Sequence, residues 1–455
     1  MTHIRAQLRR GKMARAAMAV AGLALATACA PSDFLDVSDP DIIDPTQVNS
    51  PAGARAVRVG ALSRFAVATS GGESLFLIGG LFSDEWNNGD TYIDRQQIDQ
   101  RNVNVINTFL TATYREAHRA RVSGEQAAVL LKQYDPNGEK ADVAEMYFVQ
   151  AFMENMMAEH FCNGLVFSPP IGSDEVYGRQ ISTDSTFKRA LAHADSGLAL
   201  ITGTTAADNR IKYALQVTRG RILLNLDRPT EAATAVAGVP TNFAYQVLHA
   251  QTTTDNMTWV LNNQARRYSL STVEGGNGLP FATAGDPRLP ACLGGTAACT
   301  AAGVTSAKRD DDSQPLYVQL KWPTRETPVA ISTGIEARLI EAEAALASNA
   351  VSAFLTLNTL RADKGLPALI PAATAAERED QLFDERAFWL FGTGHRTGDL
   401  RRLVRQYQRG PETVFPTGAW HKGGFYGTDV NLPIPQAEEN NPNVKPGQTC
   451  QNRDA

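Results

Sequence analysis

The sequence has no excess of basic charge and lacks the short motifs of common catalytic centres. Lys and Arg together number 43 against 48 Asp and Glu, a formal net charge of −5 at pH 7. A surface of this sign does not attract nucleic acid. No HExxH, GxSxG or phosphate-loop pattern occurs, so nothing is spaced as zinc, serine or nucleotide chemistry requires. The sequence therefore predicts no nucleic-acid partner, no cofactor and no metal site.

Long apolar runs are scarce, and the clearest one lies at the N-terminus. Basic residues from Arg5 to Arg15 precede the uncharged stretch Ala16–Ala28, which stops at Cys29. Spanning a bilayer of about 30 Å takes roughly 20 apolar residues, and this run is shorter. A basic start, a short apolar core and small residues before a cysteine are typical of a lipoprotein export signal. We expect residues 1–28 to be a signal peptide, 29–455 to be the mature domain, and Cys29 to carry lipid.

The N-terminus is also compatible with an ordinary secretory signal that ends near a cysteine, and with a short membrane anchor. The polar, turn-forming residues Pro31, Ser32 and Asp33 favour a lipidated protein, because they suit a tether. No second apolar run approaches spanning length on inspection, so we expect a soluble body held to the membrane at Cys29 alone.

Cysteine is rare, and after Cys29 an even number is left in an oxidising compartment. Cys292 and Cys299 enclose a Gly-rich hexapeptide that is flexible enough for the two sulfurs to meet, which leaves Cys162 for Cys450. The sequence alone permits three pairings. A zinc site is the rival interpretation, but no His lies at ligand spacing from these thiols.

Apolar residues recur at helical spacing in several segments. These predicted helices cover Ala112–Tyr134, Ala141–Phe161, Ser185–Ile201, Asn209–Leu226, Pro229–Ala237 and a hairpin from Ile335 to Ala362. Paired helices of this length resemble tetratricopeptide hairpins without the full signature of that repeat. We predict a mostly α fold with a helical scaffold in 105–237 and 329–409. Regions 70–104, 238–328 and 410–452 are rich in Gly, Asn, Thr and Pro, so we expect them to form a loop-rich ligand-binding face.

Several motifs occur in the order found in the SusD/RagB family of outer-membrane nutrient-binding lipoproteins, which the chain resembles along about 370 residues. They are Phe82–Trp86, Ala141–Pro170, the helix pair in the stretches that begin at Glu326 and Leu357, ERAFWLFGTGHRTGDLRRL from Glu385, and NLPIPQAEENNPNVKPGQ from Asn431. The resemblance implies a SusD-like fold. It also implies a surface-facing outer-membrane lipoprotein that captures an oligosaccharide or peptide for a SusC-like TonB-dependent transporter.

Sugar rings stack on aromatic faces while amides and carboxylates bond their hydroxyls. Trp86, Asn87, Asn88, Asp90 and Tyr92 form the best such cluster, and its loop-like composition speaks against core burial. The alternative is an aromatic that anchors the loop to the scaffold. Weaker ligand-binding candidates are Trp259, Tyr268 and Trp322.

Two other functions compete with ligand binding. A helical-scaffold glycosidase needs two well-placed acids, and neighbouring Asp84 and Glu85 would point to opposite sides of an extended chain. A structural helical-repeat lipoprotein of envelope assembly does not need so much loop. The acidic run Asp310–Asp312 has oxygen ligands that calcium prefers, but a solvated loop is the better interpretation. We expect Arg361, Asp363, Arg386, Arg396 and Asp399 to form ion pairs between helices.

The lipid prediction can be tested by the substitution Cys29→Ser. Because no other attachment is expected, the variant should move from the membrane pellet to the soluble fraction, as followed by fractionation and immunoblotting. Ser32→Ala is the matched control and should stay in the pellet. Retention of Cys29→Ser after a high-salt wash would place the anchor elsewhere.

Overall fold

The computed structural model describes residues 48–169 and 176–455. The predicted signal peptide and Cys29 lie outside these residues, so lipidation stays a prediction. Residues Ser50–Ala455 form one compact unit. Within it the helices expected from sequence periodicity are present, and the mostly α fold class is confirmed.

The N-terminal helices are α1 (Pro51–Ser70), α2 (Leu75–Phe82), α3 (Ile93–Asp99), α4 (Thr108–Tyr134), α5 (Lys140–His160), α6 (Thr183–Leu200), α7 (Ala206–Asn225) and α8 (Pro229–Val236). After several short elements, which include α9 and α10, come α11 (Gly334–Leu346), α12 (Ala350–Ala362), α13 (Ala375–Trp389) and α14 (Arg396–Arg405). Polar side chains cap many of their N-termini. Thr205 and Asp208 form a capping box at α7, and Thr374 and Glu377 form another at α13, which satisfies backbone N–H groups that have no partner within the helix.

The helices of the scaffold pack against one another in a series. Helix α1 packs on α4, α4 on α5, α5 on α6, α6 on α7 and α7 on α8, while α8 contacts α11, the first helix of the predicted hairpin with α12. Sequential antiparallel packing buries one apolar face after another, which is how helical repeats build a continuous core. The last scaffold helix, α14, packs against α5 and α2.

Helices α1 and α2 differ from the expectation for their region. By length and composition alone the stretch Pro51–Phe82 could cross a membrane, although 83% of its most apolar window is buried inside the protein, as in a core helix. The expectation of no second run of spanning length is therefore wrong. The assignment of 70–104 to loop is also wrong for α2, whose eight residues are all buried, and for α3. The glycine pair of α2 gives a loop-like composition, but Gly80 makes room for a neighbour, since a Cβ there would lie 2.6 Å from Cδ1 of Trp86.

The remaining segments carry short elements: β1 (Trp86–Asn88), β2 (Leu165–Val166), β3 (Gln180–Ile181), β4 (Ala244–Val247), α9 (Met257–Trp259) with the π-helical turn Val260–Gln264, β5 (Tyr268–Leu270), β6 (Ala291–Leu293), α10 (Ala297–Ala301), β7 (Tyr317–Gln319), β8 (Val329–Thr333), α15 (Pro411–Val414) and the 3₁₀ turn Gln436–Asn440. The strands form two-stranded antiparallel pairs, β1 with β5, β2 with β3, β4 with β8 and β6 with β7. Regions 238–328 and 410–452 are therefore largely loops between short elements.

Helix α14 is the centre of a buried ion-pair network. Asp399 accepts hydrogen bonds from Arg386 of α13 at 2.8 and 2.9 Å and from Arg402 at 2.8 Å. Burial raises the pKa of Asp399, but the guanidinium groups of Arg386 and Arg402 outweigh this effect and hold that pKa well below its usual range. Arg402 also pairs with Glu343 of α11. The ion pairs expected between helices are present here, and one joins Arg361 to Glu385.

Asp363 departs from that expectation. It lies exposed just after the end of α12, so its predicted role in a buried pair is wrong. Asp363 belongs to the motif that begins at Leu357, but helix α12 ends one residue before it.

Two disulfides tie down the loop regions. Cys162, just after α5, is bonded to Cys450 in the C-terminal tail, and Cys292 in β6 is bonded to Cys299 in α10. These are the pairs expected from the sequence. The first links residues 288 positions apart and fastens the tail to the scaffold, whereas the second shapes a single loop.

Candidate functional site

A cavity of about 280 Å³ opens among the loops, and we call it the loop cavity. Three segments distant in sequence form its walls, 272–276, 309–314 and 419–426, with Asn87 at one side. The lining residues are Asn87, Thr272, Val273, Glu274, Gly275, Gly276, Arg309, Gln314, Ala419, His421 and Tyr426. Amide, guanidinium, imidazole, phenol and carboxyl groups converge there, which is the arrangement of a site that orients a polar ligand.

Glu274 is the central acceptor of the loop cavity. Its carboxylate accepts hydrogen bonds from the Tyr426 hydroxyl, from the Asn87 amide and, at 3.1 Å, from the Ser271 hydroxyl. Burial, reinforced by the negative charge of Asp99, raises the pKa of Glu274 well above its usual range. Burial therefore favours the neutral form of this carboxyl group.

His421 is held in one tautomer by its neighbours. Its Nε2 lies 2.7 Å from Asp99 Oδ2, and its Nδ1 lies 3.2 Å from an Arg309 nitrogen, which can only donate. Nε2 therefore carries the proton and Nδ1 accepts. One ligand atom each from Asp99, Glu274 and His421 can lie within 4.8 Å of the others, a spacing that a metal ion could use. Because both imidazole nitrogens already have partners in Asp99 and Arg309, we assign His421 and Asp99 as a hydrogen-bonded pair.

The wall from 418 to 426 is a hairpin with an exposed aromatic at its end. Ala419 and Phe425 form a backbone bridge, and the turn between them contains Gly423 and Gly424 at φ of +100° and +78°. Glycine adopts such angles without strain. Phe425 is 74% exposed and directly precedes the lining residue Tyr426 in the chain.

Trp86, the leading sequence candidate, is fully buried. It lies in β1, which pairs with β5, and its ring centroid is 5.0 Å from that of Phe391 and 6.3 Å from that of Tyr268. The indole is the core anchor that the alternative interpretation described, so its assignment to ligand binding is corrected. The loop-like composition around Trp86 gave a wrong prediction of exposure, because strand β5, far along the chain, pairs with β1 and covers it.

The polar neighbours of Trp86 are also buried, and they have structural partners. Asn88 donates its backbone N–H to Asp99 at 3.1 Å and accepts from Lys422 at 2.8 Å. Asp90 forms an ion pair with Arg95. Their assignment to ligand binding is corrected as well. Asn87 is different, since it lines the loop cavity.

The other candidates lie in different environments. Tyr92 is 50% exposed, with the Arg267 guanidinium 5.4 Å from its ring, but it does not line the loop cavity. Tyr268 is fully buried, and its hydroxyl faces Glu73, so its ligand assignment is wrong. Trp259 is partly buried and stands under Arg325. Trp322 is buried and lines another cavity. Neither tryptophan contributes to the loop cavity.

The adjacent acids Asp84 and Glu85 are both buried. Asp84 binds Arg396 through two hydrogen bonds, at 2.6 and 2.8 Å. Glu85 accepts from the Gly392 N–H at 2.9 Å, and burial raises its pKa to about 8. With one acid held in a two-pronged ion pair and the other enclosed, the pair cannot flank a glycosidic bond.

Sequence reasoning missed Glu274, Arg309, His421, Tyr426 and Phe425. Phe425 alone had a local signal, because an aromatic pair between Gly424 and Gly427 is typical of a loop tip. The others come from segments whose meeting depends on the fold.

The chain has the SusD-like fold. Over 87% of its length it is similar to a SusD superfamily protein from Parabacteroides distasonis, at a TM-score of 0.64 and 14% identity, covering 98% of that structure. A SusD superfamily protein from Bacteroides vulgatus matches 88% of the chain at a TM-score of 0.60 and 14% identity, covering 99% of that structure. A laminarin-binding SusD-like protein matches 88% at 0.58 and 16%, covering 98% of that structure. No protein-family model and no curated protein matches the sequence.

The buried position of Trp86 predicts an effect on stability. Trp86→Ala should lower the free energy of unfolding by about 3 to 5 kcal/mol, because a large core cavity forms. Trp86→Phe is the matched control. It keeps an aromatic ring and removes an indole N–H that has no acceptor in the structure, so it should cost much less. Thermal and denaturant unfolding measure both, and an unchanged midpoint for Trp86→Ala would contradict its role as an anchor.

Proposed function

We propose that this protein is a SusD/RagB-family lipoprotein of the outer membrane, facing the cell surface, that binds a glycan in the loop cavity and delivers it to a SusC-like TonB-dependent transporter. The observation that carries the proposal is a SusD-like scaffold whose loops enclose a polar cavity, with an exposed aromatic residue, Phe425, next in sequence to the lining residue Tyr426. Two proteins of similar fold are named as laminarin-binding and as carbohydrate-binding, which supports a carbohydrate ligand.

The chemistry of the loop cavity suits a neutral glycan. Arg309, Gln314 and Asn87 bring guanidinium and amide groups to the cavity wall, and the exposed ring of Phe425 is a flat apolar face on the hairpin that forms part of this wall. Sugar rings need this combination, since their hydroxyls bond polar groups while their C–H faces stack on aromatics. A peptide was the other ligand class left open by the sequence. The small volume of about 280 Å³ favours a short sugar segment.

We infer a binding role without catalysis. Among the residues that line the loop cavity, Glu274 is the one carboxylic acid, whereas glycoside hydrolysis requires a pair on either side of the bond. The other acids named from the sequence are engaged in the scaffold. A purely structural lipoprotein is disfavoured because a stacked-helix scaffold has no need of a lined polar cavity.

Phe425→Ala should weaken glycan binding. Loss of one stacking face costs about 1 to 2 kcal/mol, or roughly 5- to 30-fold in affinity. Affinity electrophoresis against a polysaccharide panel that includes laminarin, followed by calorimetry on the best ligand, measures the change. Leu355→Ala is the matched control, since Leu355 is 69% exposed on α12, and it should bind as the unmodified protein does. Equal affinity for Phe425→Ala, or no binding to any glycan, would refute the proposed site.

The transporter part of the proposal is tested by co-purification. Extraction in mild detergent with an affinity tag after Ala455 should recover a much larger membrane protein, because the resemblance covers the helical scaffold. Tagged Cys29→Ser serves as the comparison, since a chain released from the membrane should recover less of it. Isolation of the lipoprotein alone, while other envelope complexes stay intact, would count against delivery to a transporter.

A further inference from the structure

A second cavity of about 410 Å³ lies between the start of α11, the end of α13 and the segments around Arg288 and Lys321. We call it the scaffold cavity. It shares no lining residue with the loop cavity. Trp322 and Trp389 form part of its wall, together with prolines and aliphatic side chains, while Lys321 and Glu336 bring opposite charges to it.

The Lys321 ammonium lies in this cavity, 4.8 Å from the ring centroid of Trp322. Its Nζ donates to the Phe391 carbonyl at 2.8 Å. Among the residues that the structure describes, no carboxylate lies within 4 Å of that nitrogen. Burial lowers the pKa of Lys321 to about 8, while the more distant Glu85 raises it. A buried ammonium with spare donors gains most from an anionic partner that it can bond directly.

Two further polar groups of the cavity have no hydrogen-bond partner, Trp389 Nε1 and Glu336 Oε1. Glu336 Oε1 is 3.0 Å from His395 Nε2. That nitrogen, however, lies 3.1 Å from an Arg221 nitrogen, which can only donate, while Nδ1 faces the Thr393 carbonyl at 3.1 Å. The imidazole proton is therefore on Nδ1, and His395 offers Glu336 no N–H. The residues that line the cavity thus include one buried donor and one buried acceptor without hydrogen-bond partners, in addition to the Lys321 ammonium.

We propose that the scaffold cavity is a second ligand site, for a sugar acid such as a hexuronate unit. The carboxylate would meet Lys321, a ring oxygen or hydroxyl would accept from Trp389, and a hydroxyl would donate to Glu336, each completing a group that lacks a partner. Trp322 and Trp389 supply apolar wall for the ring. The inference extends the proposed function to acidic glycans, and it can fail separately because the two cavities have different residues.

Calorimetry on the purified full chain, with glucuronate and glucose as probes, tests the proposal. Glucuronate should bind at least tenfold more tightly than glucose. Lys321→Met should reduce glucuronate affinity at least tenfold, while Lys321→Arg, which keeps the charge, should retain most of it. Trp389→Phe, which removes only the indole N–H, should give a smaller loss.

The control is Glu274→Gln in the loop cavity, which should leave glucuronate affinity unchanged. Melting temperatures identify a variant that fails to fold, and in that case Trp389→Phe and Lys321→Arg decide. The proposal would be overturned by the absence of glucuronate binding, by equal affinity for glucose, or by full binding in folded Lys321→Met. Loss of glucuronate binding in Glu274→Gln alone would place the ligand in the loop cavity. Loss of neutral-glycan binding in Phe425→Ala tests only the loop cavity.

Discussion

The pairing of buried arginines with buried acceptors around α14 is the interaction on which the architecture depends. Arg396 reaches Asp84 before β1, Arg402 reaches Glu343 of α11, and Arg401 donates to the carbonyls of Ala158 and Phe161 at the end of α5. One short helix thereby fixes elements that lie far apart along the chain. Removing one partner of such a buried pair typically costs about 3 to 5 kcal/mol, because the other charge stays uncompensated. The positions of the loops that connect these elements therefore depend on this network.

The helical part of the fold could be predicted because it follows from local pattern. Apolar spacing located α4 to α8 and the α11–α12 hairpin to within a few residues, and sequential packing then follows from short connections. The same reasoning failed at α2, since a glycine pair in an apolar octapeptide reads as a break. Those glycines serve close packing, and the partners that require them, Trp86 and His160, can be known only from the tertiary structure.

The candidate site could be predicted only as a region. Composition placed it among the loops, but Asn87 alone of the chosen polar residues lines the loop cavity. Glu274, Arg309 and His421 come from three separate segments, and no local pattern distinguishes them from other loop residues. Trp86 shows the converse error, because an aromatic among Asn and Gly is exposed only if no distant strand pairs with it. Burial of short segments is decided by long-range pairing, which composition does not encode.

The hairpin that carries Phe425 closes on itself. Its turn is held by backbone bonds from Gly423 to Trp420 and from Trp420 to Gly424, and its base by a bond from Tyr426 to Gly418, while Trp420 and Lys422 fasten it through Asp99 and Asn88. The exposed ring takes no part in any of these bonds. A substitution at this position can therefore change the exposed side chain without disturbing the helices beneath.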